Sequence, residues 1–297
     1  MRADTTGPLA GRHLAILGLG YTAQEVARQA MAQGARVSGT TGDAAKAARL
    51  VADGVTILAT QDGELYPDAL ADVTDLLVSI PPTPAGCPGV PMIAPELPGA
   101  RSLRWIGYLS SSAIYGDCGG DWIDETREPA PRSRHALARL DAEQDWREIA
   151  RFRSTALDIL RIAGIYGPGR DRIASLRDGT ARVIDKSGQV FNRIHRDDIA
   201  GAVLAAMMSP AGTRVTNLAD GAPCSPVELM RGVAGMLGLE PPAVVPWDPA
   251  TLPPGMARFY AESRRLKNDR LRALPGFVLR YPDWRAGYRA IIAAAAA

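Results

Sequence analysis

Short apolar runs alternate with segments of helical period through the first half of the chain. HLAILGLG (13–20) reads as a buried strand, and AQEVARQAMAQG repeats apolar positions at helical spacing until Gly34 stops it. ARVSGTT is a second strand, DAAKAARLVADG a helix ending at Gly54, and VTILAT a third strand. DLLVSIPP, RWIGYLSSS and ALDILRIAGIYG supply a fourth, fifth and sixth. Rich in Val, Ile and Leu without alternation, these strands fit a parallel sheet covered on both faces. Strand–helix alternation with right-handed crossovers predicts the fold class: α/β, a doubly wound parallel sheet.

After about residue 164 the pattern loosens. DDIAGAVLAAMM and SPVELMRGVAGMLG read as helices, and residues 213–219 (TRVTNLA) are expected to return to the sheet. From Pro241 to Gly255 six prolines predict loop over much of the length. The terminal IIAAAAA reads as a fraying helix end. The reading divides the chain into a sheet domain, 1–163, and a remainder, 164–297, that is mainly a small lobe on the substrate side.

Composition narrows the function classes. The 297 residues carry a net charge of only +2, no excess with which to hold a nucleic-acid backbone. Three spaced cysteines and three histidines draw no metal-ligand pattern, so no metal is expected, and reduced thiols suit a cytoplasmic protein. The first residues lack an apolar signal core, and no apolar run reaches the ~18 residues a membrane span needs.

The chemistry begins at Gly18-Leu19-Gly20-Tyr21-Thr22-Ala23, which leaves a strand and opens a helix. In that context Gly18 permits the tight turn, Gly20 lets the backbone approach a diphosphate, and Ala23 lets helix and strand pack closely. The helix N-terminus offers unpaired N–H groups and a partial positive charge. The second strand ends without the acid that usually binds an NAD ribose; Thr40 and Thr41 stand there instead, with Lys46 a turn into the next helix. The cofactor is therefore NADP or NAD, with the balance slightly toward NADP. Ile80 and Pro81, ending the fourth strand, are assigned to the same site.

Five further segments resemble the extended short-chain dehydrogenase/reductases in the family's order. They are Ser110-Ser111-Ser112-Ala113-Ile114-Tyr115-Gly116, Asp121 to Pro131, Leu160 to Arg170 (LRIAGIYGPGR), Asn192 to Ala200 and Asn217 to Gly221. The resemblance implies a Rossmann fold and an NAD(P)-dependent oxidoreductase or epimerase/dehydratase-like enzyme acting on a small polar substrate. That family uses a Tyr as acid/base, a Lys four residues later and a substrate-binding Ser, here Ser111 with Ser112 beside it. If Glu143 is the Glu that closes its motif, the Tyr and Lys positions hold His135 and Arg139, as in the atypical branch. Spacing i, i+4 puts both on one helix face. Two readings stand: a neutral imidazole poised by a nearby cation, or two solvated residues on a helix rich in arginine.

Tyr115, Tyr166 and Arg170 are assigned to the substrate side, Arg170 suiting an anion. His195 and Asp198 read as a cap on the DDIAGAVLAAMM helix. Family members commonly dimerise through the helix that begins here near Arg134, which implies a homodimer. A different class of function is a nucleotide-binding sensor that keeps the cradle and has lost the YxxxK chemistry.

Overall fold

The computed structural model describes residues 6–59, 62–252 and 254–295. Seven parallel strands form its central sheet: β1 (His13–Leu17), β2 (Arg36–Gly39), β3 (Thr56–Ile57), β4 (Asp75–Val78), β5 (Trp105–Ser111), β6 (Ala156–Ile162) and β7 (Thr213–Leu218). Their order is β3-β2-β1-β4-β5-β6-β7. The chain starts mid-sheet, winds to one edge, then returns and winds to the other. The reversal between β1 and β4 opens a crevice at the carboxyl ends of the strands, where open α/β sheets bind ligands.

Every residue of β1 and β4 is buried, because alternate side chains serve opposite layers. Leu14 and Ile16 face Ala23, Val26 and Ala30 of α1 (Tyr21–Ala32), while Ala15 and Leu17 share a second cluster with Trp146. Helices α2 (Ala44–Ala52) and α3 (Arg134–Arg153) begin at caps: the Asp43 carboxylate accepts from the Lys46 N–H, and the Ser133 hydroxyl from the Ala136 N–H. Although α4 (Arg196–Met208) follows the proposed boundary, it packs on α1 against the sheet. A third cluster draws only on later residues. Val183, Leu229, Val233, Trp284 and Tyr288 join α5 (Pro226–Met236) to α6 (Trp284–Ala294).

Residues 213–218 pair in parallel with β6 at the edge of the sheet. Three readings change. The third strand shrinks to two ladder residues. The sixth ends at Ile162, where its neighbours β5 and β7 also stop; Gly164–Tyr166 then pairs with Arg193–His195. Within the Pro-rich stretch Ala243–Pro246 pairs in parallel with Arg182–Asp185, and Pro254–Tyr260 is helical. Proline is compatible with both, ending an edge strand in one and opening a helix in the other. Among the described residues no helix is long and apolar enough to cross a membrane.

Candidate active site

The turn after β1 is built by two glycines with different duties. Gly18 has φ +89°, and a Cβ there would meet the Ile80 backbone nitrogen at 3.0 Å, so the turn itself demands glycine. Gly20 has φ −81°, and a Cβ there would meet nothing within 4 Å. The protein leaves that space open at the N-terminus of α1. A cavity of about 370 Å³ begins here, lined by Gly18, Leu19, Gly20, Thr40, Thr41, Ile80 and Pro81, with Lys46 and Ser79. No carboxylate is among its described lining residues.

The other two assigned cofactor residues lie differently. Thr22 is buried in α1. Tyr21 turns away from the cavity: its hydroxyl donates to the Pro168 carbonyl at 3.0 Å, and Arg196 and Arg170 lie over its ring at 4.8 and 5.8 Å. Thr40 is also committed, its hydroxyl accepting from the Gly18 N–H at 2.9 Å. Lys46, one helical turn away in sequence, is brought to the cavity wall by the first turn of α2.

A second cavity, about 650 Å³, lies past the end of β5. Ser111, Ser112 and His135 line it together, joined by Asn192, Glu262 and Arg264. Ser111 is half-exposed; its hydroxyl accepts from the Ala113 N–H at 3.2 Å and caps the turn that continues the strand. His135 is exposed at the rim, one residue into α3. Arg139 points elsewhere, donating to the Leu109 carbonyl at 2.6 Å, so its guanidinium braces α3 against β5 and does not line this cavity.

Behind the serines runs a buried network. Glu143 accepts from Arg161 Nη2 at 2.8 Å and from the Ser110 hydroxyl at 2.7 Å. Arg161 also donates to the Tyr115 hydroxyl, which donates onward to Asn217. Tyr115 is 0 % exposed, and burial raises its pKa. The structure places it apart from its assignment to the substrate side: it is a phenol satisfied at both lone pair and proton, inside the core, that does not line the serine cavity.

Tyr166 and Arg170 do line a common cavity, about 420 Å³, adjoining the serine cavity. The Tyr166 ring stacks on Tyr288 with centroids 5.4 Å apart, and burial drives its pKa up. Beneath them His195 caps α4, its Nδ1 accepting from the Asp197 N–H at 3.1 Å. Burial pushes its pKa down to about 4, so the imidazole is neutral. Asp198 is not a cap but a clamp: it accepts from the Arg280 and Tyr281 N–H groups at 2.7 and 3.0 Å. Among the described residues no cluster of His, Cys, Asp or Glu could hold a metal ion.

The residues that sequence reasoning missed are Glu262, Arg264 and the wall-forming role of Lys46. Glu262 and Arg264 follow a Pro-rich stretch whose path back over β5 no local pattern encodes. Arg264 reaches it by donating to the Gly116 carbonyl, held by Glu262 at 2.9 Å.

No family model matches the chain. Protein YeeZ of Escherichia coli (strain K12) is 31% identical over 251 residues, covering 78% of this chain and 86% of YeeZ. A functionally unknown conserved protein from Silicibacter pomeroyi is 37% identical and superposes with a TM-score of 0.88 over 95% of this chain and 99% of that one. UDP-glucuronic acid 4-epimerase from Bacillus cereus, in complex with NAD, shares the fold at 14% identity and a TM-score of 0.72, covering 95% and 99%. The chain belongs to the family of YeeZ, and it shares its fold with a UDP-N-acetylglucosamine 4-epimerase and a short-chain dehydrogenase/reductase superfamily protein. The glycine turn, the serine strand end and the residues on either side of the Gly-Pro-Gly loop, Tyr166 and Arg170, each line a cavity of this fold.

Proposed function

We propose that the chain binds a nicotinamide dinucleotide at Gly18–Gly20, NADP in preference to NAD, and acts as an oxidoreductase or epimerase/dehydratase-like enzyme on a small polar substrate at Ser111 and Ser112. The space over Gly20 carries the reading. It is open at a helix N-terminus, where backbone amides and the helix dipole favour a diphosphate. The preference for NADP rests on Thr41 and Lys46 with no carboxylate among the described residues of that wall: nothing repels a 2′-phosphate, and one cation attracts it.

The dinucleotide supplies hydride transfer when bound. Ser111 and Ser112, at the carboxyl end of β5, hydrogen-bond and orient a substrate hydroxyl or carbonyl. His135, at the rim of the same cavity, accepts or returns a proton at its imidazole. Leu137 and Phe152 stand 46% and 85% exposed on α3, the helix through which a homodimer is proposed.

Calorimetry with NADP and NAD tests the cofactor reading. Lys46→Gln should weaken NADP about tenfold, the loss of one ion contact, and leave NAD unchanged. Equal loss for both removes the 2′-phosphate from that wall. Turnover of a hydroxy/keto panel with Ser111→Ala and His135→Ala tests the chemistry. The engagement of Arg139 with the Leu109 carbonyl favours a second reading, a nucleotide-binding sensor without catalysis. Dinucleotide binding with no turnover of any panel member would establish that alternative.

A further inference from the structure

The cavity holding Tyr166 and Arg170 is unlike the serine cavity beside it. Four arginines, Arg170, Arg172, Arg182 and Arg193, line it. Their described partners are neutral. Arg182 donates to the Gly179 and Ala181 carbonyls at 3.2 and 2.9 Å, Arg193 to the Phe191 carbonyl and Cys224 sulfur at 3.0 and 3.2 Å, and Arg170 lies over Tyr21. Arg172 and Arg193 share this wall with Tyr260 and Tyr288.

One carboxylate, Asp171, lines the same cavity and accepts from the Ile173 N–H at 2.9 Å, so the four arginines outnumber the acid on this wall. Asp220, behind Arg193, is 1% exposed, and burial raises its pKa to about 7, so near neutrality it is about half protonated. Guanidiniums with free donors, three of them exposed at the mouth, favour an anion with several oxygens.

The wall also has an apolar part: Val183, Leu229, Met230 and the Phe191–Phe259 pair, stacked with centroids 4.4 Å apart. That pair, with Gly164 and Asn192, also lines the serine cavity, so the two chambers meet at the rings. Phe259 is 60% exposed although its ring forms the shared wall, a position that leaves its free face for a ligand.

We infer that the substrate is an organic phosphate with a flat apolar body, its phosphate among Arg170, Arg172, Arg182 and Arg193, its body against Phe191 and Phe259, and its reacting end at Ser111 and Ser112. This deepens the enzyme reading above and rests on it.

Phenyl phosphate, phenol and inorganic phosphate are the probes, titrated calorimetrically into the full chain saturated with NADP. Phenyl phosphate should bind at least about tenfold more tightly than either half-molecule. Arg172→Gln and Arg193→Gln should each weaken it about tenfold and leave dinucleotide affinity unchanged. Phe259→Ala should weaken phenyl phosphate and spare inorganic phosphate. Arg172 is exposed, so its variant decides the question if Arg193→Gln fails to fold. Phenol matching phenyl phosphate, or Arg172→Gln without effect, overturns the inference while NADP binding stands. A chain that takes phenyl phosphate but neither dinucleotide overturns the enzyme reading instead.

Discussion

Replacing Gly20 by Val separates the cofactor cradle from the fold that carries it. A Cβ at this position meets nothing within 4 Å, and φ −81° suits any residue, so the variant has no clash to relieve. The position is the N-cap of α1 but makes no side-chain cap bond. Glycine's advantage over valine there is worth about 1 kcal/mol at most, which lowers Tm by no more than about 2–4 °C in a domain of this size. Binding should fail outright, because two methyls fill the space over the helix N-terminus. The assay is thermal unfolding with and without dinucleotide. At 100 times Kd a ligand adds about 2.7 kcal/mol to stability, an upward shift of about 5–11 °C in the wild-type chain. Gly20→Val should show none. Gly18→Ala is the contrast: at φ +89° and 3.0 Å from the Ile80 nitrogen, a methyl costs at least about 1–2 kcal/mol and should lower the unliganded Tm. If Gly20→Val keeps the full dinucleotide shift, the diphosphate is not where the open space is, and the cofactor site is misplaced.

Two further outcomes follow from buried charge. Glu143 and Arg161 are 1% and 4% exposed and paired at 2.8 Å; Arg161→Met strands the carboxylate and should cost about 3–5 kcal/mol in urea unfolding. Adding Glu143→Leu should recover much of that loss, and a double variant no better than the single would refute a cost set by the unpaired charge. Asp220 binds a proton in the fold up to about pH 7 but in the unfolded chain only to its ordinary 3.8, so its contribution is full below 3.8 and lost as pH rises through 7. Arg193, Asp198 and Asp283 face it, and Arg193 opposes the rise that burial causes. His195 has the opposite sign: its folded pKa of about 4 lies below 6.5, so stability is lost as pH falls from 6.5 toward 4. Asp220→Asn should therefore raise Tm more at pH 8 than at pH 5, leaving the acid-side loss in place. An equal shift at both pH values would place the carboxyl in ordinary solvent.

The parallel sheet between two helical layers was legible because its cause is local. Runs such as LAIL and DLLV can be buried only between two helical layers, and Gly18 stands where the turn permits no side chain. The end of β5 was equally plain, since Ser110, Ser111 and Ser112 leave an apolar strand together. What those residues do depends on partners far along the chain. Ser110 turns inward because Glu143, 33 residues further along the chain, waits there with Arg161, another 18 residues on. Tyr115 reads as a strand-end aromatic, and only Arg161 and Asn217 make it a core group. His135 and Arg139 share a helix face in sequence, yet the strand packed beneath α3 claims the guanidinium and leaves the imidazole at the rim. Local pattern and chain sterics thus determined the sheet and its glycine turn. The identity of the pocket walls, from Lys46 to Arg264 and the four arginines, was decided by the tertiary structure, because a contact between distant segments has no period in the sequence.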